Sequence, residues 1–216
     1  TSLWIKYFES KGAYAIPVDC KTGKGLNKFD EVVKKALAKV IAKNEEKGMT
    51  GKPLRLMVVG IPNTGKSSFI NRMGKNAKAK VADKAGVTRQ NQWFIVGNGI
   101  ELLDTPGVLW PKFDNQEIGC LLAGTGAINE DILDLKMIAN ELTKVIRKYY
   151  PNVLEKEYEF DTDTDIHDVL TCIAKKRNLR KDNDVLDEDR AAILFLREYR
   201  KGKLGKFTLE HLDNEE

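Results

Sequence analysis

The residues from Gly60 to Ser67, GIPNTGKS, have the types and spacing that bind a phosphate chain. They fit the pattern G-x-x-x-x-G-K-[S/T] in full, which chance would give roughly once in a hundred chains of this length. Glycines let a backbone wrap closely around phosphates, and successive N–H groups at the start of a helix form an anion site. Lys66 would contact the β- and γ-phosphates, and the Ser67 hydroxyl would bind Mg²⁺.

The elements around this motif stand in the order that the chemistry needs. Leu54–Val59 is a continuous apolar run between Pro53 and Gly60, as expected for a buried parallel strand. A helix begins at Ser67 and reaches Met73. The alternative interpretation is a glycine-rich strand-to-helix turn with no ligand, and the complete pattern together with its context favours a ligand. We therefore predict a nucleotide site here.

A second motif, Asp104-Thr105-Pro106-Gly107, could sense the γ-phosphate. It fits D-x-x-G, as do residues 83–86, but only the copy at Asp104 ends a predicted strand, Ile100–Leu103. Its carboxylate would hold the Mg²⁺ shell and the Gly107 N–H would face the γ-phosphate. Thr88, between the two motifs, is the natural second hydroxyl for the metal. The predicted Mg²⁺ residues are Ser67, Thr88 and Asp104.

The residue after Gly107 bears on catalysis. Ras-like enzymes place a Gln there to orient the attacking water, whereas this chain has Val108, which cannot hydrogen-bond a water molecule. Slow basal turnover is expected. His167 and His211 both lie in the C-terminal half and are interpreted as ordinary surface histidines, so no catalytic residue is assigned.

The tetrapeptide Asn27-Lys28-Phe29-Asp30 matches N-K-x-D, the motif with which GTP-binding proteins recognise guanine. It follows a loop rather than a strand, although a guanine-binding Asp should follow a parallel strand. Asn27 instead suits a helix N-cap, with Asp30 and Glu31 in the first turn. We predict a helix start. The preceding residues, a predicted strand Tyr14–Val18 and then DCKTGKGL, resemble the other guanine loop of GTPases, S-A-K-x-G-x-G-h.

The whole set of motifs resembles the ribosome biogenesis GTPase A (YlqF-like) family of bacteria, which are circularly permuted GTPases. The resemblance rests on GIPNTGKSSFINR, AGVTRQNQW, LLDTPGVLWPKF, GTGAI and, near the end, LDEDRAAILFLREYRKGKLGKFTLE. It implies GTP or GDP as the nucleotide. The implied binding residues are Asp19, Cys20, Lys21, Asn63, Thr64, Gly65, Lys66, Ser67, Ser68, Thr88 and Gly107.

The resemblance carries three further expectations. In that family the true N-K-x-D lies upstream of the guanine loop, and an N-terminal segment is thought to supply a catalytic His, so we expect residues to be missing before Thr1. Asp19 stands where the family usually has Ser, which puts that contact in question. Asn63 matches a phosphate-loop Asn associated with potassium activation, so K⁺ is a further expected cofactor.

The chain divides by composition into a mixed α/β part, residues 1–113, and a mostly helical part, residues 114–212. The fold class is therefore α/β followed by an all-α domain, and the resemblance implies that the α/β part is a P-loop GTPase fold in circularly permuted order, incomplete at the N-terminus. Asn98-Gly99 between strands Trp93–Val96 and Ile100–Leu103 indicates a hairpin, and Lys28–Lys47 reads as one amphipathic helix. In the Ras-like strand order two strands separate Tyr14–Val18 from Leu54–Val59. Either upstream residues are missing or the strand at Tyr14–Val18 is wrong. The other helices are predicted at Leu3–Ser10, Glu117–Ala123, Ile132–Tyr149, Ile166–Lys176 and Glu188–Tyr199.

Composition excludes several classes of protein. The 216 residues are 42% hydrophobic and 31% charged with a net charge of +4, as in ordinary globular proteins. Apolar runs are too short to span a membrane. The three cysteines suit neither a disulfide framework nor a zinc site. We expect a cytoplasmic protein with reduced thiols and no membrane partner.

The C-terminal half separates its charges. Glu155–Asp168 has seven acidic residues and one Lys, whereas residues 171–206 have eleven basic and six acidic residues. The runs KKRNLRK at 175–181 and RKGKLGK at 200–206 are either solvated helix faces or a phosphate-contacting surface. The family resemblance, rather than the charge, implies the large ribosomal subunit and its RNA as partner, through this domain and the switch loops.

Three functions remain open from the sequence. The first is a GTP-driven factor in assembly of the large ribosomal subunit. The second is a P-loop ATPase or kinase acting on a small molecule. The third is an RNA-binding module with a vestigial nucleotide site.

Overall fold

A computed structural model describes residues 1–74, 91–109, 115–128 and 134–212. The chain forms two compact units, here called the sheet unit (Thr1–Val108) and the helical unit (Leu109–His211). The predicted domain boundary at residues 113 and 114 stays a prediction. Among the described residues, no helix has both the length and the apolar character needed to cross a membrane.

The sheet of the sheet unit has the strand order β1-β3-β2. β1 is parallel to β3, with Leu54 opposite Ile100 and Val58 opposite Asp104, while β2 is antiparallel to β3. The elements of this unit are α1 (Ser2–Ser10), α2 (Phe29–Ala36), α3 (Ala38–Glu46), β1 (Leu54–Val58), α4 (Lys66–Met73), β2 (Gln92–Gly97) and β3 (Ile100–Asp104).

The hairpin between β2 and β3 is confirmed at Asn98-Gly99. Both residues have left-handed backbones, with φ of 51° and 73°, the conformation that two-residue hairpin turns favour because it matches the twist of the strands. The hairpin turn lies at the start of β3, whereas Asp104 lies at its end. The two ends of β3 therefore serve different roles, one as a turn and one beside the phosphate motif.

One face of the sheet carries the core of this unit. Phe94, Ile100 and Leu102 are buried there against Ile70 of α4 and Val33 of α2. The other face is open among the described residues. Its side chains Met57 and Ile95 are 63% and 76% exposed. The prediction of a parallel strand at Leu54–Val59 is thus confirmed, but its burial on both faces is wrong for the described part of the chain, because the described helices cover a single face.

Two predicted elements differ from the structure. Residues 13–19 form neither a helix nor a strand, so the strand expected at Tyr14–Val18 is wrong. A strand exists only with a hydrogen-bonded neighbour, and the described sheet provides none for this segment. The single helix predicted over Lys28–Lys47 is two helices, α2 and α3, because Leu37 between them has φ −101° and ψ 14° and interrupts the helical backbone.

The helical unit packs its helices around a core built from long apolar side chains. Ile138, Leu142 and Ile146 of one helix meet Ile173 and Phe195 of two others, and all five are 0% exposed. The predicted all-α character is confirmed, with ends shifted by a few residues. The helices are α5 (Gln116–Gly124), α6 (Leu135–Tyr149), α7 (Val153–Tyr158), α8 (Val169–Lys176) and α9 (Glu188–Arg200).

Three helices of this unit begin at Asn or Asp, which are preferred N-cap residues because their side chains accept a backbone N–H. Asn115, Asp134 and Asp187 each accept a backbone N–H from the first turn of α5, α6 and α9, which satisfies one of the donors that a helix leaves unpaired. The sequence did not reveal α7, because six residues are too few for a helical periodicity. Residues with positive φ, Asn152 and Glu159, flank it at either end.

A buried polar cluster ties α7, α9 and the end of α8 together. Glu198 is 8% exposed and accepts hydrogen bonds from the Tyr158 hydroxyl at 2.8 Å and from Arg177 Nη2 at 3.2 Å. Arg177 also binds Glu157 at 2.6 Å. Burial, reinforced by the bond to Glu198, raises the pKa of Tyr158, so this phenol stays a donor. Arg177 therefore serves the core of the unit.

We predict that Arg177→Gln destabilises the protein while Lys175→Gln does not. The first change removes the charge that compensates buried Glu198, at a cost of about 1–3 kcal/mol. Lys175 is exposed, and its replacement should stay within about 0.5 kcal/mol. Urea unfolding followed by circular dichroism compares the two variants. Equal stability would contradict a structural role for Arg177.

Candidate nucleotide-binding site

The phosphate loop (Gly60–Ser67) joins the end of β1 to the start of α4. Gly65 has φ 91° at the N-cap of α4, a left-handed conformation that glycine adopts without steric cost. Asn63 is also left-handed, with φ 60°, and the Thr64 hydroxyl donates to the Ile61 carbonyl at 2.8 Å. The chain therefore turns sharply after β1 and presents the N-terminal N–H groups of α4 to the loop.

Lys66 folds back over this loop. Its Nζ donates to the carbonyls of Gly60 and Ile61 at 3.1 and 2.9 Å. Burial lowers the pKa of Lys66, and the Asp104 carboxylate opposes that effect. An ammonium group that is partly desolvated beside a row of N–H groups is stabilised by an anion, so the arrangement suits a phosphate ligand.

Ser67 and Asp104 meet at the edge where β1 and β3 end. The Ser67 hydroxyl donates to Asp104 Oδ2 at 2.9 Å, and Asp104 is 2% exposed. Its other oxygen, Oδ1, is buried with no hydrogen-bond partner among the described residues. A buried carboxylate oxygen left unpaired is costly, and a cation would remove that cost.

These two side chains fit Mg²⁺. The ion prefers oxygen ligands and uses only one or two carboxylates, with substrate phosphates and water completing its shell. The described part of the chain has no cluster of three His, Cys, Asp or Glu residues that could hold a metal ion. Thr88, the third predicted ligand, lies outside the described residues, as does the competing D-x-x-G at residues 83–86.

The aspartate loop (Asp104–Val108) lies directly against the phosphate loop. The Thr105 hydroxyl donates to the Val58 carbonyl at 2.7 Å, and the Val108 N–H donates to the Gly60 carbonyl at 3.2 Å. Gly107 packs so closely that a Cβ there would stand 2.6 Å from the Pro62 nitrogen. The two loops are therefore one structural unit, and the roles of Thr105 and Pro62 in joining them were not predicted from the sequence.

The guanine loop (Asp19–Leu26) is held closed by the side chain of its first residue. Asp19 Oδ1 accepts the N–H groups of Lys21 and Thr22 at 2.8 and 3.2 Å, and its carbonyl accepts the Gly23 N–H at 2.7 Å. The Cys20 N–H donates to no partner among the described residues. The resemblance implies that a backbone N–H of this loop contacts the base.

One glycine and one arginine fix where this loop lies. Gly25 has φ 83°, and a Cβ there would fall 2.1 Å from the Pro17 carbonyl oxygen. Arg72 Nη2 donates to the Thr22 carbonyl at 3.5 Å. Arg72 follows Lys66 by six residues on α4, about 9 Å along the helix axis. The helix that begins at the phosphate loop therefore also anchors the guanine loop. Its position six residues after Lys66, somewhat less than two helical turns, is the sequence signal that could have identified Arg72.

The thiol of Cys20 is not activated by this setting. Burial, followed by the neighbouring Asp19 carboxylate, raises the pKa of Cys20, and Arg72 opposes the rise. The thiol stays protonated at neutral pH and is a poor nucleophile.

The N-K-x-D match, residues 27–30, belongs to neither the guanine loop nor the phosphate loop. Asp30 and Glu31 occupy the first turn of α2, as predicted, and Asp30 accepts a hydrogen bond from Asn98 at the hairpin turn. That turn is at the start of β3, at the opposite edge from Asp104. The N-cap expected at Asn27 is wrong, because Asn27 lies inside the 3₁₀ turn Leu26–Lys28 and caps nothing.

The fold and the joined loops define a P-loop nucleotide-binding protein. The protein family described as 50S ribosome-binding GTPase matches residues 55–176 of the chain. The ribosome biogenesis GTPase A of Bacillus cereus is 40% identical over 211 residues, which are 97% of this chain and 71% of that protein. That of Priestia megaterium is 38% identical over 213 residues, covering 97% and 74%. The chain belongs to the ribosome biogenesis GTPase A family.

Solved structures agree on the fold. A GDP-bound YlqF structure has a TM-score of 0.63 at 23% identity and covers 98% of this chain and 76% of that one. A GNP-bound YlqF from T. maritima has a TM-score of 0.57 at the same identity, over 94% and 71%. The predicted fold class, a P-loop GTPase fold with a helical C-terminal part, is confirmed. The individual site residues stay predictions.

We predict that Asp30 has no influence on base selectivity. Asp30→Ala should lower the free energy of unfolding by less than about 1 kcal/mol, and Asp30→Asn should leave the preference for guanine over xanthine nucleotides unchanged. Glu31→Ala, in the same helical turn, is the control. Competition binding with GDP and XDP tests this, and a shift toward XDP in Asp30→Asn alone would make Asp30 the base-recognising residue.

We predict that Asp19 acts through its acceptor oxygen and not through its charge. Asp19→Ala removes the two N–H bonds that shape the guanine loop, worth about 1 kcal/mol together with loop ordering, and should weaken GDP binding about fivefold. Asp19→Asn keeps an acceptor and should bind within about twofold of the original. Calorimetry measures both. Equal losses would mean that the charge is what matters.

Proposed function

We propose that this GTPase uses GTP binding and hydrolysis in the assembly of the large ribosomal subunit. The proposal rests chiefly on the contact between the phosphate loop and the aspartate loop. The aspartate loop ends at Val108, and the helical unit begins at the next residue, Leu109. A ligand that changes between the triphosphate and diphosphate forms acts on both loops at once. Family membership supplies the nucleotide and the reaction, GTP to GDP and phosphate.

The nucleotide site we propose combines the guanine loop and the phosphate loop. The Cys20 N–H, with Asp19 and Lys21 beside it, would contact the base. Lys66 would exchange its two carbonyl partners for the β- and γ-phosphates, and the Gly107 N–H would face the γ-phosphate. The backbone N–H groups along the phosphate loop would hold the phosphate oxygens; the residues involved are Asn63, Thr64, Gly65 and Ser68.

The proposed metal is Mg²⁺ on Ser67, Thr88 and Asp104. When bound, it would neutralise negative charge on the phosphates. The buried Oδ1 of Asp104, which has no hydrogen-bond partner among the described residues, supports this assignment. Potassium, with Asn63 as a ligand, is a further proposed cofactor, and it rests on the resemblance of the phosphate loop.

Basal hydrolysis should be slow. Val108 is 68% exposed and has no polar atom in its side chain to orient an attacking water. A partner that binds the helical unit could shift the aspartate loop, which precedes that unit in the chain, and so bring a water-orienting group into place. The named relatives support a ribosomal partner, and the family description specifies the 50S subunit. A cytoplasmic location agrees with such a partner.

The other two functions considered from the sequence gain no support. A small-molecule kinase would need a second substrate site, and both the family description and the names of the relatives specify a GTPase instead. An RNA-binding module with a vestigial nucleotide site would not need the Ser67–Asp104 pair, which is intact.

The test is phosphate release from GTP, with and without purified large subunits. We expect slow turnover alone and stimulation by the subunits. Lys66→Ala should weaken GTP and GDP binding by more than about 100-fold, because it removes the cation that binds the phosphates, while Lys43→Ala, on the exposed surface of α3, should be neutral. Tighter binding of ATP than of GTP, or retained micromolar binding in Lys66→Ala, would contradict the assignment.

A further inference from the structure

The two basic runs of the helical unit are not equivalent in the structure. In the first, called the α8 run (Lys175–Lys181), every cation except Lys175 has a carboxylate partner within the same unit. Arg180 pairs with Asp184 at 3.1 Å and Lys181 with Asp189 at 3.0 Å. Lys176 pairs with Glu159, and Arg177 with Glu157 and Glu198. An external phosphate would have to compete with these carboxylates.

The second run differs after its first residue. Arg200 donates to the carbonyls of Gly124 and Ala123 at 3.0 and 2.8 Å and so caps the end of α5. The lysines that follow it are exposed, and none has an ion pair among the described residues. Arg197, one helical turn before Lys201, is likewise exposed and unpaired in that part of the chain. Together these four cations form what we call the basic turn: Arg197, Lys201, Lys203 and Lys206.

The sequence around the basic turn contains few acidic residues. Between Arg197 and Glu210 the sequence has one acidic residue, Glu198, and its carboxylate is buried against Tyr158 and Arg177. Its charge is therefore compensated internally. Within the described part of the chain, the basic turn therefore presents positive charges that no carboxylate pairs with.

The backbone of the basic turn is rigid. The Gly202 and Lys203 N–H groups donate to the carbonyls of Tyr199 and Glu198 at 2.8 and 3.0 Å, and Gly202 has φ 68°, which together form a Schellman C-cap of α9. Leu204 is 8% exposed. The rigidity lowers the conformational entropy that the turn would lose on binding a ligand.

An aromatic cluster fixes the residues that follow. Phe207 stacks on Tyr199 with ring centroids 5.9 Å apart and meets Tyr150 edge-on at 5.0 Å. The Thr208 N–H donates to the Tyr150 hydroxyl at 2.7 Å. The apolar side chains near the lysines thus pack inward, and they offer a lipid bilayer no apolar anchor.

We propose that the basic turn, and not the α8 run, is where the helical unit contacts the phosphate backbone of RNA. Arg197 and Lys201 are one helical turn apart, about 6 Å along the axis, and a nucleic acid carries charges spaced closely enough to meet several such cations together. That the RNA is ribosomal rests on the proposed function. The assignment of the surface rests on the pairing of the charges alone.

The experiment compares two variants of the 216-residue chain with equal loss of charge. The first replaces Lys201, Lys203 and Lys206 with Gln. The matched control replaces Lys176, Arg180 and Lys181 with Gln. Binding to an RNA duplex of about 20 base pairs is measured over a range of salt concentrations. Sedimentation with large ribosomal subunits and with phosphatidylserine vesicles is measured in parallel, and urea unfolding verifies that both variants fold.

We expect the basic-turn variant to bind the duplex at least about tenfold more weakly at low salt. The slope of log affinity against log salt should fall by about two to three, because each lost phosphate contact removes somewhat less than one from it. The α8 variant should bind within about twofold of the original chain. Basal GTP hydrolysis should be unchanged in both.

The outcomes separate the inference from the proposed function. The inference is overturned if the salt slope of RNA binding is unchanged in the basic-turn variant, or if the α8 variant loses as much RNA affinity as the basic-turn variant. It is also overturned if binding to vesicles depends on the basic turn as strongly as binding to RNA does. If the original chain binds the duplex through the basic turn but does not bind large subunits, the ribosomal function fails and the inference stands. If large subunits bind strongly and the basic-turn variant binds them equally well, the inference fails and the ribosomal function stands.

Discussion

The parallel pairing of β1 with β3 is the constraint on which the nucleotide site depends. Because the two strands run in the same direction with Val58 opposite Asp104, both strands end at the same edge of the sheet. The phosphate loop continues from one strand and the aspartate loop from the other. Without that register Ser67 and Asp104 would not meet, and Thr105 could not reach the Val58 carbonyl. The side-chain contacts are consequences of the strand pairing.

Short sequence motifs predicted the structural elements whose conformation depends on a few adjacent residues. The phosphate loop, the Asn98-Gly99 turn and the acidic first turn of α2 each arise from a few adjacent residues, and each is present in the structure. The fold class followed from the order of such signals. The pattern N-K-x-D was interpreted as a helix start because no strand precedes it, and Asp30 lies in the first turn of α2 in contact with Asn98. Its separation from the guanine site stays a prediction.

The remainder depended on contacts between residues distant in sequence. The expected strand at Tyr14–Val18 has suitable side chains but no neighbour in the described sheet. Gly107 was predicted for its N–H, whereas its lack of a side chain is what lets it approach Pro62. Charge counts treated the two basic runs alike, and only the partners of Arg177, Lys181 and Arg200 distinguish a cation that stabilises the fold from one that is available to a ligand. Sequence carries no direct record of such pairings.

The approach of Gly107 to Pro62 has a consequence at the level of the gene. Every nonsynonymous single-base change in a glycine codon either stops translation or encodes a residue with a β-carbon, and a β-carbon here would lie 2.6 Å from the Pro62 nitrogen. Even alanine would force the two loops apart. Position 107 therefore has no mild substitution: third-base changes in its codon are silent, and any change that replaces the glycine separates the strand end that holds Asp104 from the loop that holds Lys66.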